Sequence, residues 1–324
     1  MMTFTKKALF VLLIGLSLFL SCRQAEEPDG NDTRLKVMTT IFPLYDFARE
    51  VGGDKVAVRM LLPPASDAHH YELKPNDIVR VSQTDVFLFT SFEMEQWAHK
   101  IIRANHEKAN MLAVETGRGA SLLSLPASDE HETDHPSAWR ESDGDHAARY
   151  DPHIWLDFAN AQIMIDNIMT AFINRDPKNS EVYKRNAESF KRRLADLDQK
   201  YRAQLSGCKT RTVVHAGHWA FAYLAARYNI QYLSAYNMSA DAEPSPQQMM
   251  TLIGHIKGQK LKYIYYEDIT APRLAQTIAG ETGVGLLKLS NGHDISKKDI
   301  QAGESFISLM ERNLMNLKKG MQCP

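Results

Sequence analysis

The chain has 324 residues, of which 44% are hydrophobic and 24% charged, and a formal net charge of −1 at pH 7. This composition excludes a disordered chain, and the balanced charge gives no electrostatic reason to expect nucleic acid as a partner. Past the N-terminal segment about 300 residues remain, enough for two domains of ordinary size.

Lys6 and Lys7 precede an apolar run from Ala8 to Leu20. That run is too short for an ordinary membrane span and has the length of a signal-peptide core. It ends in Leu20-Ser21-Cys22, which resembles a lipoprotein cleavage site. Residues 1–21 are therefore read as a signal peptide, Cys22 as the candidate lipidation site, and 22–34, polar with Pro and Gly, as a tether. Export places the chain in an extracytoplasmic compartment where disulfides form. With Cys22 lipidated, Cys208 and Cys323 remain, either as a pair or as two separate thiols.

Apolar, β-branched runs at 35–41, 56–62 and 85–90 predict strands, and the periodicity predicts helices at 42–51, 75–83 and 94–104. The alternation repeats with strands at 211–215, 231–235, 263–266 and 284–289 and helices at 218–228, 246–257, 272–282 and 301–318. Short connections between alternating strands and helices predict βαβ units and a mostly parallel sheet in each half. Between the halves, 160–205 is nearly all helix former, broken at Asp176-Pro177 because proline cannot continue a helix. The expected fold is α/β: two α/β lobes with mostly parallel sheets, 35–158 and 206–324, joined by a long rigid connecting helix within 159–205.

Four histidines, His69, His153, His218 and His293, each stand at a predicted strand-to-helix junction, where open α/β sheets present ligand sites. Four neutral imidazoles brought together suit Zn²⁺, which accepts tetrahedral nitrogen ligands. His70 and His215 are neighbouring alternatives, Glu72 is a candidate partner for a ring, and Asp294, Glu267 or water is an alternative fourth ligand. If a helix starts at Gly217, His218 lies in its first turn, where the helix dipole opposes protonation. Within the first lobe, 127–150 is rich in Asp and Glu and carries His131, His135 and His146, which suggests an exposed auxiliary metal loop.

At these places the chain resembles the metal-specific solute-binding lipoproteins of ABC transporters, the zinc and manganese receptors of the ZnuA type. The resemblance rests on His69-His70-Tyr71-Glu72 after a Pro-rich strand end, on Asp151-Pro152-His153-Ile154-Trp155-Leu156, and on His218 ahead of Ala220-Phe221-Ala222-Tyr223-Leu224-Ala225. It selects His69 over His70 and His218 over His215. The family's fourth ligand is an Asp or Glu after a late strand, or is missing; the matching position here is His293, a departure from that pattern.

The resemblance implies an extracytoplasmic, membrane-anchored receptor that captures Zn²⁺ between its lobes and delivers it to an ABC-type metal permease in the cytoplasmic membrane. It implies no catalysis, and a monomer is expected. Related receptors with carboxylates at the site bind Mn²⁺, so four imidazoles favour zinc. The alternatives are a manganese receptor, a metal-binding surface adhesin, and a zinc hydrolase. The last needs an open coordination position, and the chain has no His-Glu-x-x-His.

Overall fold

The computed structural model describes residues 32–105, 111–124, 150–236, 244–267, 272–293 and 295–324. Cys22 and the loop histidines His131, His135 and His146 lie outside the described residues, as does Asp294. The first sheet contains β1 (Leu35–Thr39), β2 (Val56–Met60), β3 (Val86–Phe89) and β4 (Leu112–Glu115), in the order β2-β1-β3-β4. The second contains β5 (Thr212–His215), β6 (Gln231–Ser234), β7 (Tyr263–Tyr266) and β8 (Gly285–Lys288), in the order β6-β5-β7-β8. Every pairing within both sheets is parallel. The central strands β3 and β5 are buried along their whole length, as expected where helices cover both faces.

In the first half α1 (Phe42–Gly52), α2 (Pro75–Ser82) and α3 (Ala98–Asn105) follow the strands. The connecting helices are α4 (Phe158–Arg175) and α5 (Ser180–Gln204). In the second half come α6 (Ala222–Arg227), α7 (Pro246–Gly258), α8 (Pro272–Thr282), α9 (Lys297–Gln301) and α10 (Phe306–Gly320). Local chemistry sets several of these boundaries. Asp157 caps α4 by accepting from the backbone N–H groups of Ala159 and Asn160, and Ser245 forms a capping box ahead of Pro246.

The structure corrects three expectations about elements. The terminal helix expected over 301–318 is two helices, because Gly303 takes a positive φ of 77° and Ser305 caps a new start at Phe306. The helix expected from Met94 begins at Ala98; the preceding turn instead brings the Glu95 carboxylate onto the backbone N–H groups of Thr90 and Ser91. The strand Leu112–Glu115 was not expected. It is a half-buried edge strand containing Ala and Glu, with little β-propensity to reveal it.

Helix α5 is 25 residues long, about 37 Å at 1.5 Å per residue. Its buried stripe of Tyr183, Ala187, Phe190, Leu194, Leu197 and Tyr201 packs on α1 and α4 and on α10. Each large apolar side chain buried this way contributes about 1.5–3 kcal/mol. Residues of both sheets thereby join one large hydrophobic core, a second, smaller cluster around Val214, Ile256 and Ile264 packs on the second sheet, and from Leu35 to Pro324 the chain packs as one unit. Cys208 and Cys323 form a disulfide that ties the exit of α5 to the end of α10. Among the described residues no helix is long and apolar enough to cross a membrane.

Candidate metal centre

Three of the four histidine loops are built on the same local device. The backbone N–H of His69 donates to Asp67 Oδ1 at 2.8 Å, that of His153 to Asp151 Oδ1 at 2.9 Å, and that of His293 to Asn291 Oδ1 at 2.9 Å. Each is an Asx turn, in which a short side chain replaces a backbone acceptor and fixes the residue two positions later. Asx-x-His in a loop is thus a signal present in the sequence itself.

The loops are then clamped by tertiary contacts. Trp97 Nε1 donates to the Ala68 carbonyl at 2.9 Å, and the backbone N–H of Ala65 donates to the Ile295 carbonyl at 3.0 Å, joining the His69 loop to both halves of the chain. Tyr223 donates its hydroxyl to the Asp151 carbonyl at 2.8 Å, anchoring the His153 loop to α6. Gly292, with φ 85°, makes the turn that delivers His293. His218 stands in the loop between β5 and α6, not in the first turn of a helix, because α6 starts only at Ala222. Its carbonyl is held by the Tyr232 hydroxyl at 3.1 Å, so loop anchoring takes the place of the dipole argument.

His69, His153, His218 and His293 converge, each offering one ring nitrogen within 4.8 Å of the others. His153, His218 and His293 are buried; His69 is partly buried, but its Nε2 is enclosed and has no hydrogen-bond partner among the described residues. The neighbouring alternatives point elsewhere. His70 is exposed, with Nδ1 3.0 Å from Asp67 Oδ2, and His215 directs Nδ1 to the Tyr232 hydroxyl at 3.1 Å. Glu72, a candidate partner for a ring, is exposed.

The carboxylates behind the rings come instead from Asp151 and Glu267. Asp151 Oδ1 lies 2.8 Å from His153 Nδ1, and Glu267 Oε2 lies 2.8 Å from His218 Nδ1. A carboxylate receiving the Nδ1 proton fixes the ring's orientation and leaves Nε2 as the free donor for a metal. Glu267 therefore stands behind His218 rather than beside it.

Burial disfavours the charged rings. It lowers His69 to about 3, with the charge of His293 adding to the effect, and pushes His153 well below the ordinary range. His215 is lowered to about 4 by burial, against the pull of Glu267. Asp151 is raised to about 7 by burial, opposed by the His153 backbone N–H. The cluster thus offers neutral imidazole nitrogen, the form a metal requires.

Comparison with known proteins agrees with this architecture. Residues 37–320 match the ZnuA family model, described as zinc-uptake complex component A, periplasmic. The chain is 31% identical over 315 residues to the zinc-binding lipoprotein AdcA of Streptococcus pneumoniae R6, covering 97% of this chain but only 61% of that relative's length. It is 30% identical over 319 residues to the high-affinity zinc uptake system protein ZnuA of Bacillus subtilis 168, covering 97% of each. The Zn(II)-bound ZnuA-like domain of Streptococcus pneumoniae AdcA superposes with a TM-score of 0.73 at 28% identity, over 89% of this chain and 99% of that one. With a family match across nearly the whole described chain and the same two-sheet architecture, the protein belongs to the ZnuA family.

Proposed function

We propose that this protein is the extracytoplasmic zinc receptor of an ABC-type uptake system. It holds Zn²⁺ through His69, His153, His218 and His293 and passes it to a permease in the cytoplasmic membrane. The observation that carries this reading is the convergence of four imidazole nitrogens to within 4.8 Å. A tetrahedral zinc with nitrogen ligands at 2.0–2.1 Å spaces them about 3.4 Å apart, so no pair needs to close by more than about 1.4 Å.

The donor set argues for zinc over manganese. A harder ion prefers oxygen, and the nearest described carboxylates, Asp151 and Glu267, are engaged at the Nδ1 atoms of two of the rings. It also argues against hydrolysis, since four protein ligands leave no position for a reactive water. The names of the relatives support the extracytoplasmic, lipoprotein setting. Within this reading Cys22 is the anchor and the loop carrying His131, His135 and His146 is an auxiliary collector of metal.

The test is elemental analysis and competitive titration of the purified full chain with Zn²⁺ and Mn²⁺. One tightly held zinc per chain, preferred over manganese, is the expected outcome. Failure to retain zinc, or a preference for manganese, refutes the assignment. Host-matrix binding independent of metal would move the function to adhesion.

A further inference from the structure

Two of the three Asx residues that fix histidine loops are aspartates, Asp67 and Asp151, and the third is Asn291. The turn itself needs only a side-chain oxygen, so it does not explain the amide. The explanation lies on the other side of the residue. Asn291 Nδ2 donates to Glu267 Oε1 at 3.1 Å, and the second oxygen of that carboxylate lies 2.8 Å from His218 Nδ1. The Asn291 carbonyl in turn accepts from Trp155 Nε1 at 2.7 Å, two residues beyond His153. One buried side chain and its backbone therefore touch the supports of three imidazoles that come from both halves of the chain. Asn291 and Glu267 are 1% and 2% exposed, so water does not substitute freely for these bonds.

We propose that Asn291 is a positioning residue that couples His153, His218 and His293 into one zinc-binding unit through Glu267 and Trp155. The inference rests on the zinc-receptor reading above. The group types set the polarity of the chain of bonds: the Asn291 amide N–H donates to Glu267, and the ionised Glu267 accepts a second hydrogen bond from His218 Nδ1–H. An aspartate at 291 keeps the turn at His293 but sets two carboxylates against each other, and Glu267 then swings from His218. Orienting groups of this kind are worth about 10–100-fold in metal affinity.

The experiment is a double-mutant cycle on the full chain, measuring zinc affinity by competition and the visible spectrum of the Co²⁺-loaded protein. Asn291→Asp and Glu267→Gln each weaken zinc by about 10–100-fold and shift the Co²⁺ spectrum. The double variant Asn291→Asp/Glu267→Gln restores both, because the new amide at 267 donates to the carboxylate at 291 while its oxygen still accepts from His218. A purely structural role for Asn291 would not produce rescue by reversing the polarity. Wild-type affinity in Asn291→Asp, or losses that multiply in the double variant, overturn the proposal while leaving the zinc reading intact. Should Asn291→Asp fail to fold, Asn291→Ser, which keeps an oxygen for the turn but removes the amide donor, probes the same bond, and wild-type affinity there overturns it equally. A wild-type chain that holds no zinc removes both.

Discussion

The Nε2 atoms of His153 and His218 stand 3.2 Å apart, although 65 residues separate them in sequence and different halves of the chain deliver them. Each ring has its Nδ1 against a buried carboxylate, Asp151 for one and Glu267 for the other. With the protons on Nδ1, both Nε2 lone pairs face the same small volume. That arrangement is repulsive when empty and is relieved by a shared cation, which is the physical argument for a metal at this point.

Removing one of these donors has a direct consequence. His153→Ala is expected to weaken zinc by about 100-fold, or roughly 3 kcal/mol, measured by competition with a chelator of known affinity. His293→Asp replaces a nitrogen donor with the harder oxygen and should lower the zinc-to-manganese affinity ratio by about 10-fold. An unchanged ratio would remove His293 from the ligand set.

The pH response follows from the sign of the imidazole shifts. An isolated imidazole begins to lose metal to protons near its ordinary value of about 6.5. His69 is lowered to about 3 and His153 is held well below the ordinary range, so both stay neutral as pH falls through 6.5. Proton competition at these two rings therefore sets in lower than the imidazole chemistry alone suggests. Competition titrations at pH 7.5, 6.5 and 5.5 should show less than about a tenfold loss over the first unit, with the decline concentrated below it. A steep loss between 7.5 and 6.5 would assign proton competition to groups other than these two rings, such as Asp151, which burial raises to about 7.

Gly217 lies where any side chain collides with the metal site's supports. A Cβ at this position would run into the His215 ring and come within 3.1 Å of Glu267 Oε2. Gly217→Ala should thus displace Glu267 from His218 and weaken zinc by about 10-fold, with stability lowered by about 1–3 kcal/mol from overpacking. Thermal unfolding with and without zinc separates the two effects: the metal-dependent shift in Tm should shrink along with the metal-free Tm.

The Cys208–Cys323 disulfide spans a sequence separation of 115 residues at the end of the second half of the chain. Closing a loop of that size stabilises the folded state by about 3–5 kcal/mol through the entropy of the unfolded chain. Cys208→Ser/Cys323→Ser should lower the denaturation midpoint accordingly in urea titrations. Zinc affinity of the folded variant should stay within about threefold, because Cys208 precedes the start of β5 whereas His218 and His293 follow the C-terminal ends of β5 and β8.

Most of the elements and their order were legible because they depend on local chemistry; β4, the break at Gly303 and the late start of α6 were not. β-branched runs, Pro75 and Pro246 at helix starts, and the break at Asp176-Pro177 act within a few residues of where they are written. The same locality made the loops of His69, His153, His218 and His293 recognisable as candidates, and the Asx residues before three of them were there to be read. What the sequence by itself determined, then, was which segments fold into strands and helices and which loops carry imidazoles.

Tertiary structure decided what those imidazoles face. Nothing local distinguishes His218 from His215 by chemistry; the fold turns one into the cluster and the other toward Tyr232. Glu267 read equally well as a ligand until the register of β7 beside β5 placed it behind His218. The partnership of Asn291 with Glu267 and Trp155 likewise depends on contacts across 24 and 136 residues. Such contacts are selected by burial, since a polar group withdrawn from water must find a partner wherever the packed chain supplies one, and that choice is made only when both halves close around the shared core.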